Sequence, residues 1–263
     1  MKNTPEPKLA IRLDHIAVKT ASPEKLFLFF TDILGLPVIW PVSKEPGFTT
    51  GGFFVGDTSV ETLPLEKHGG QKTPPVTTIS GLTFEAPPLD EIAEQLQRAG
   101  LKPTEPDQTI CDYDGRQAKT WTSLCLEAIS SPRHTVCLRE YDKNYKGQLG
   151  KTISFTAPLG EIGLLGIKEI TLESDSPARA KALWTTLLGC KPAADGVFKR
   201  DGMPLLRVNE GKEDGIAGLT LKVQSLDKAR QFLKEKQLLG CYDKDFACIT
   251  PQAVQGLRLC FTQ

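Results

Sequence analysis

The sequence predicts an α+β protein made of four βαβββ modules, paired into two domains on curved mixed sheets. Three observations carry this expectation. Residues 13–38, LDHIAVKTASPEKLFLFFTDILGLPV, recur at 167–192 as IKEITLESDSPARAKALWTTLLGCKP, at a constant offset of 154. Residues 81–96, GLTFEAPPLDEIAEQL, recur at 218–233 as GLTLKVQSLDKARQFL, at an offset of 137. Each repeat also opens with a strand-like alternation that gives way to a helix-like period. Self-similarity on this scale marks modules that bury their apolar faces against one another, so it is read before any single residue.

The first module runs over residues 10–66. In its opening strand Leu13, His15, Ala17 and Lys19 face one way, and Asp14, Ile16 and Val18 the other. Ser22 stands at a helix N-cap with Pro23 at the first helical position and Glu24 in the first turn. Leu26, Phe29, Phe30, Ile33 and Leu34 recur at helical spacing, and Gly35 supplies the stop. Strands are expected over 36–41, 48–55 and 58–65, punctuated by Gly51-Gly52 and Gly56-Asp57. The same grammar, with Ser176-Pro177 and Gly189, opens the third module at 165–211, which is compressed after its helix. Modules two and four fall at 77–142 and 214–262. The expected organisation is thus a flexible lead over 1–9, a first domain over 10–142, a connection over 143–164 and a second domain over 165–263. The polar segment 67–75, which holds His68, links modules one and two. One βαβββ sheet covers a single face with its own helix, so two modules must pair, and a concave cleft between them is the default ligand site.

Composition narrows the function classes. Apolar residues make up 40% and charged residues 24%, the balance of a globular protein. The net charge is zero and no long basic run occurs, which argues against nucleic acid or membrane surfaces as partners. No apolar stretch reaches 18 residues and no secretory leader is visible, so a cytoplasmic location is expected. Seven cysteines, without a CxxC pair, are expected to be reduced thiols.

The phrase LDHIAV followed by SPEKLFLFFTDILGLPV resembles the opening of the vicinal oxygen chelate superfamily, also called the glyoxalase/bleomycin-resistance/extradiol-dioxygenase superfamily. GGFFVGDTSVETLPL is similar to that family's third and fourth strands, which end in a buried glutamate. As a motif the resemblance covers residues 13–65; as architecture it covers most of the chain. It implies paired βαβββ modules around a divalent metal (Zn, Ni, Fe or Mn). The ligands would be a His or Gln from a first strand and a Glu from a last strand, with equivalents from the partner module. Imidazole and carboxylate suit such ions, and open positions let vicinal substrate oxygens chelate.

Transferred residue by residue, the ligand set is partial. His15 and Glu61 fill both positions of module one. In module two Gly81 stands at the histidine position and Cys137 at the glutamate position. A Cys137 thiolate is a good zinc ligand, so His15, Glu61 and Cys137 form the candidate metal set; equally, Cys137 is a small buried hydrophobe. His134 lies an odd number of residues before Cys137 and faces the other way in a regular strand. In the second half Glu169, Gly218, Arg207 and Arg258 stand near the ligand positions, which leaves that half without metal.

Glu61 in an apolar strand requires a partner, since a lone buried carboxylate is costly: a metal, His15 or an arginine. Without metal, Glu61 can still serve as a base oriented by His15. His134 and Arg139 either frame the cleft or are ordinary strand-end residues, and Trp40, Trp121 and Phe54 are core residues or aromatic cleft walls. Tyr141 and Tyr145 begin either a lid segment or the connection between domains.

The function implied by the resemblance is isomerase or lyase chemistry on a small oxygenated molecule, with Glu61 as the catalytic residue and a metal in the N-terminal cleft. The alternative is a metal-free protein that sequesters a small molecule, of the bleomycin-resistance type. Extradiol dioxygenase chemistry is disfavoured, because that branch keeps its ligands in the C-terminal half. A monomer or homodimer is expected.

Overall fold

The computed structural model describes residues 9–43, 50–65, 77–113, 116–143, 145 and 157–263. Module one comprises β1 (Arg12–Thr20), α1 (Pro23–Leu28, continued as a π-helical turn over Phe29–Ile33), β2 (Val38–Trp40), β3 (Gly51–Val55) and β4 (Thr58–Pro64). Module two comprises β5 (Thr78–Glu85), α2 (Leu89–Arg98), β6 (Asp107–Tyr113), β7 (Arg116–Cys125) and β8 (Thr135–Tyr141). Module three has β9 (Leu164–Ser174), α3 (Pro177–Leu188), β10 (Val197–Phe198) and β11 (Leu205–Glu210). Module four has β12 (Gly215–Val223), α4 (Leu226–Glu235), β13 (Leu239–Tyr242), β14 (Ala247–Ile249) and β15 (Leu259–Thr262). The fold is therefore α+β, and the βαβββ order expected from the repeats recurs in modules one, two and four. Module three is compressed, as its short sequence after Gly189 demands. No helix among the described residues is long and apolar enough to cross a membrane.

The chain divides into two compact units. One holds Met1–Asp14, Gly81–Ile153 and Glu173–Gly215; the other holds His15–Ser80, Ser154–Leu172 and Ile216–Gln263. In the latter, β1 runs parallel to β4, and β3 antiparallel to both β2 and β4. The same unit pairs β12 with β15 in parallel and β14 with β13 and β15 antiparallel. In the former, β5 runs parallel to β8, while β7 lies antiparallel to β6 and β8. Parallel pairing of the first and last strand of a module leaves two faces, only one of which its helix covers.

The covered face of module one is built by α1. Ile16, Val18, Val60 and Phe53 are buried beneath it, with Phe30 stacked on Phe53 at 4.5 Å between ring centroids and Phe27 edge-on to it at 6.2 Å. Each such side chain contributes about 1.5–3 kcal/mol of burial, which outweighs the marginal intrinsic stability of so short a helix. Ser22 and Ser176 occupy the N-cap positions, yet neither hydroxyl caps its helix. Instead the backbone N–H of each donates to a hydroxyl two residues earlier, Thr20 and Ser174. Gly189 ends α3 in the left-handed conformation, the stop its sequence position implied.

The cysteine expectation is corrected. Cys125 is bonded to Cys137 and Cys248 to Cys260, each pair 12 residues apart, while Cys190 and Cys241 are free. Both bonded pairs sit directly opposite one another on antiparallel strands, a proximity that spacing along the chain does not reveal.

Candidate functional site

The face of module one left open by α1 is the one that carries His15 and Glu61. In the parallel β1–β4 register His15 lies opposite Ser59 and Ala17 opposite Glu61, so His15 and Glu61 are diagonal neighbours on one face. Antiparallel pairing then sets Phe54 beside Ser59 and Gly52 beside Glu61. All of these side chains are half-buried, whereas the alternate residues of β1 and β4 are buried under the helix. The burial alternation is the period-two pattern of a half-covered sheet.

Two local features organise this face. Thr50 donates its hydroxyl to the Glu61 Oε1 at 2.7 Å, which supplies one of the partners a partly buried carboxylate requires. Gly52 has no side chain, and Trp40, its cross-strand partner, lays its indole over the gap: a Cβ on Gly52 would come within 2.5 Å of the ring. Trp40 and Phe54 therefore stand beside Glu61 and Ser59 as an aromatic wall. Thr50 was not singled out in the sequence; its place just ahead of the Gly51-Gly52 turn was the available signal.

Module two presents the corresponding face in the other unit. Here Thr83, Cys137 and Cys125 form one row, Glu85, Arg139 and Ser123 the next, and Tyr141 pairs with Trp121 beyond them. The Arg139 guanidinium lies 4.6 Å from the Trp121 ring centroid and donates to the Ser123 hydroxyl at 3.3 Å. The Tyr141 hydroxyl donates to the Asp14 carboxylate at 2.8 Å, and Arg12 bonds Glu85 at 2.8 Å. Burial, reinforced by the negative charge of Asp14 and opposed by Arg139, pushes the Tyr141 phenol well above its usual value. Tyr145 stacks on Tyr141, so the two tyrosines after the module belong to this arginine–aromatic cluster.

The expected site residues thus separate. His15, Glu61 and Phe54 share the open face of module one; Cys137, Arg139 and Trp121 share that of module two. Cys137 is committed to its disulfide and supplies no thiolate in this state, which corrects its candidacy as a metal ligand. His134 is buried in the turn before β8, with its ring Nδ1 2.9 Å from the Ser131 hydroxyl. Burial holds its imidazole below the ordinary histidine value against the opposing charge of Asp214. That is the setting of a turn-stabilising histidine. A groove of about 720 Å³, lined among others by Glu91, Gln95, Arg98, Cys190 and Lys191, lies in the same unit as module two, and none of the expected residues lines it. His68 falls outside the described residues.

A divalent ion held by protein groups takes three or more donors in most sites. Among the described residues no three His, Cys, Asp or Glu side chains come together, and module one offers two donors. The donors among the described residues do not by themselves fit a resident metal.

A family model described as Glyoxalase/Bleomycin resistance protein/Dioxygenase superfamily matches residues 12–118. Among solved structures, the chain is similar to a hypothetical protein from Staphylococcus aureus at 12% identity and TM-score 0.59, covering 95% of this chain and 98% of that one. It is similar to the 2,3-dioxygenase LapB from Pseudomonas sp. KL28 at 13% identity and TM-score 0.63, covering 97% and 92%. It is also similar to a variant of 4-hydroxymandelate synthase from Streptomyces coelicolor at 10% identity and TM-score 0.64, covering 96% and 92%. Likeness at these identities concerns the fold. No curated protein sequence matches the chain.

Proposed function

We propose that this chain, which through residues 12–118 belongs to the glyoxalase/bleomycin resistance/dioxygenase superfamily, binds a small molecule on the open face of module one. One observation supports this reading above the others: Trp40 lies over Gly52 beside Glu61, so an aromatic surface and a carboxylate already hydrogen-bonded by Thr50 share one half-exposed patch. A ligand with an apolar, planar body and a positive charge or hydrogen-bond donor satisfies both, since indole faces attract cations and flat rings while Glu61 anchors the polar end. In this reading the C-terminal modules serve the fold. The donor set favours sequestering without metal.

The test is thermal-shift and fluorescence titration with a panel of aromatic amines, on wild type, Glu61→Gln and Trp40→Leu. Binding at least tenfold weaker in both variants is the expected result; equal affinity in all three proteins overturns the proposal. Metal content of chelator-free preparations is measured alongside, and close to one equivalent of a transition metal, lost in His15→Ala, would overturn the metal-free part.

A second reading follows from the diagonal placement of His15 and Glu61. Glu61, held by Thr50, takes a proton from carbon next to a carbonyl, with His15 placed to orient the substrate oxygen. Solvent deuterium incorporation into 2-hydroxy acids and dicarbonyls, followed by NMR, tests it; no incorporation above a Glu61→Gln control removes it.

A further inference from the structure

The three modules with a parallel first and last strand share one register row. In module one the row is Ala17, Glu61 and Gly52; in module two it is Thr83, Cys137 and Cys125; in module four it is Thr220, Cys260 and Cys248. Thr83 and Thr220 are themselves related by the offset of 137 that links the two repeats. Where module one sets a carboxylate beside a glycine, modules two and four therefore set a cystine across their last two strands.

The two cystines differ in their surroundings. Cys125 and Cys137 are both half-exposed on the open face of module two. In module four Cys248 is only 7% exposed, while Cys260 is half-exposed. Thiol–disulfide exchange requires a thiolate to reach a sulfur, so attack is open at both sulfurs of the module-two pair and at one of the module-four pair. The Cys125–Cys137 bridge also joins strands held by ladder pairs on one side of it: Leu124–Leu138, Ser123–Arg139, Thr122–Glu140 and Trp121–Tyr141. Opening it leaves the hairpin its hydrogen bonds and its buried Leu124 and Leu138.

We propose that Cys125–Cys137 is a reversible modification site, opened by a small dithiol and closed by a small disulfide, and that its state is felt by the arginine–aromatic cluster on the same face. A dithiol thiolate attacks one cysteine sulfur; the S–S bond breaks, and its electron pair leaves with the other sulfur, which takes a proton. The second thiol of the reagent then closes on the mixed disulfide. The protein gains two thiols and the reagent becomes its own cyclic disulfide.

The coupling is geometric. The two Cα atoms of the bridged pair are 4.0 Å apart, against about 4.5 Å for an unbridged non-hydrogen-bonded pair. Release lets β7 and β8 relax toward the wider spacing. The next row toward the strand ends on this face is Ser123–Arg139, and the one after it is Trp121–Tyr141. The Arg139 stack on Trp121 spans those two rows and follows the strand spacing.

The experiment titrates the full-length protein with dithiothreitol under native conditions, quenches with iodoacetamide and measures each cysteine by peptide mass spectrometry. Peptide resolution keeps Cys190 and Cys241 from obscuring the result. Cys125 and Cys137 should become alkylated at least about twofold faster than Cys248 and Cys260, as two reachable sulfurs against one imply, with unchanged far-UV circular dichroism and full re-closure by oxidised glutathione. Trp emission should shift on reduction in wild type and not in Trp121→Phe. Simultaneous opening of both cystines, opening only with loss of secondary structure, or an emission unchanged by reduction would each overturn the proposal. The double variant Cys125→Ala/Cys137→Ala should fold and show the emission of the reduced wild type; failure to fold would mark the bridge as structural and overturn it as well.

Discussion

Tyr141 donates its hydroxyl to Asp14 across 127 residues of sequence, at 2.8 Å, and Asp14 is 7% exposed. The bond fixes the end of β8 to the beginning of β1 in a place where a carboxylate has little access to water. Arg12, at 3.6 Å, and Arg139, at 3.8 Å, face the same carboxylate with opposite charge. Removing the phenol leaves the carboxylate short of a donor it was built around, and a buried acceptor without its partner costs about 1–3 kcal/mol. Tyr141→Phe should lower stability by that amount in urea unfolding. No measurable change would show that water replaces the hydroxyl.

The same tyrosine predicts a dependence on alkaline pH. Its folded-state pKa is raised, first by burial and then by Asp14, so the neutral phenol is the form the fold favours. Its contribution is complete below the unfolded-state value of about 10 and is lost as pH rises from there toward the folded value. The gap in urea midpoint between wild type and Tyr141→Phe should therefore narrow from pH 9 upward. A gap that stays constant or widens above pH 10 would contradict the sign.

His134 acts at the opposite end of the scale. Burial lowers its folded-state pKa, so its neutral form stabilises the protein above about pH 6.5 and that contribution fades as pH falls through the lower folded value. Wild type should lose stability more steeply than His134→Gln between pH 6.5 and 5. Parallel curves would mean that the histidine is solvated in solution.

Gly52 makes room for Trp40, and any side chain there must displace the indole. Gly52→Ala should cost about 1–3 kcal/mol, as overpacking does, and shift the Trp40 emission. If module one is the ligand face, affinity falls in parallel; stability and affinity both unchanged would remove Trp40 from the site.

Phe53 tests the covered face. It is fully buried and stacked on Phe30, so Phe53→Ala should destabilise by about 3–5 kcal/mol. A loss under 1 kcal/mol would mean that α1 repacks over the gap.

Much of the architecture was legible because its signals are local. The alternation from Asp14 to Lys19 matches the burial pattern of β1, Leu13 departing from it by being buried, and Pro23 and Gly35 bracket the helical segment. Strands expected over 36–41, 48–55 and 58–65 appear at Val38–Trp40, Gly51–Val55 and Thr58–Pro64. The shared face of His15 and Glu61 could be inferred from a period of two on each strand plus a resemblance that aligned them. Trp40 beside Glu61 could not, because it depends on which residues of β2, β3 and β4 stand opposite one another.

The cysteines show the limit most clearly. The two 12-residue spacings, Cys125 to Cys137 and Cys248 to Cys260, were visible as numbers, but a spacing does not say that two side chains point at each other. By itself the sequence determined the modules, their helices, and which residues alternate toward a helix or away from it, since backbone period and capping act over a few residues. Tertiary structure alone decided that Cys137 meets Cys125 instead of a metal, that Asp14 meets Tyr141, and that His134 is tucked into a turn. Those outcomes rest on strand register and long-range packing, where a shift of one residue reverses the face and so changes every partner.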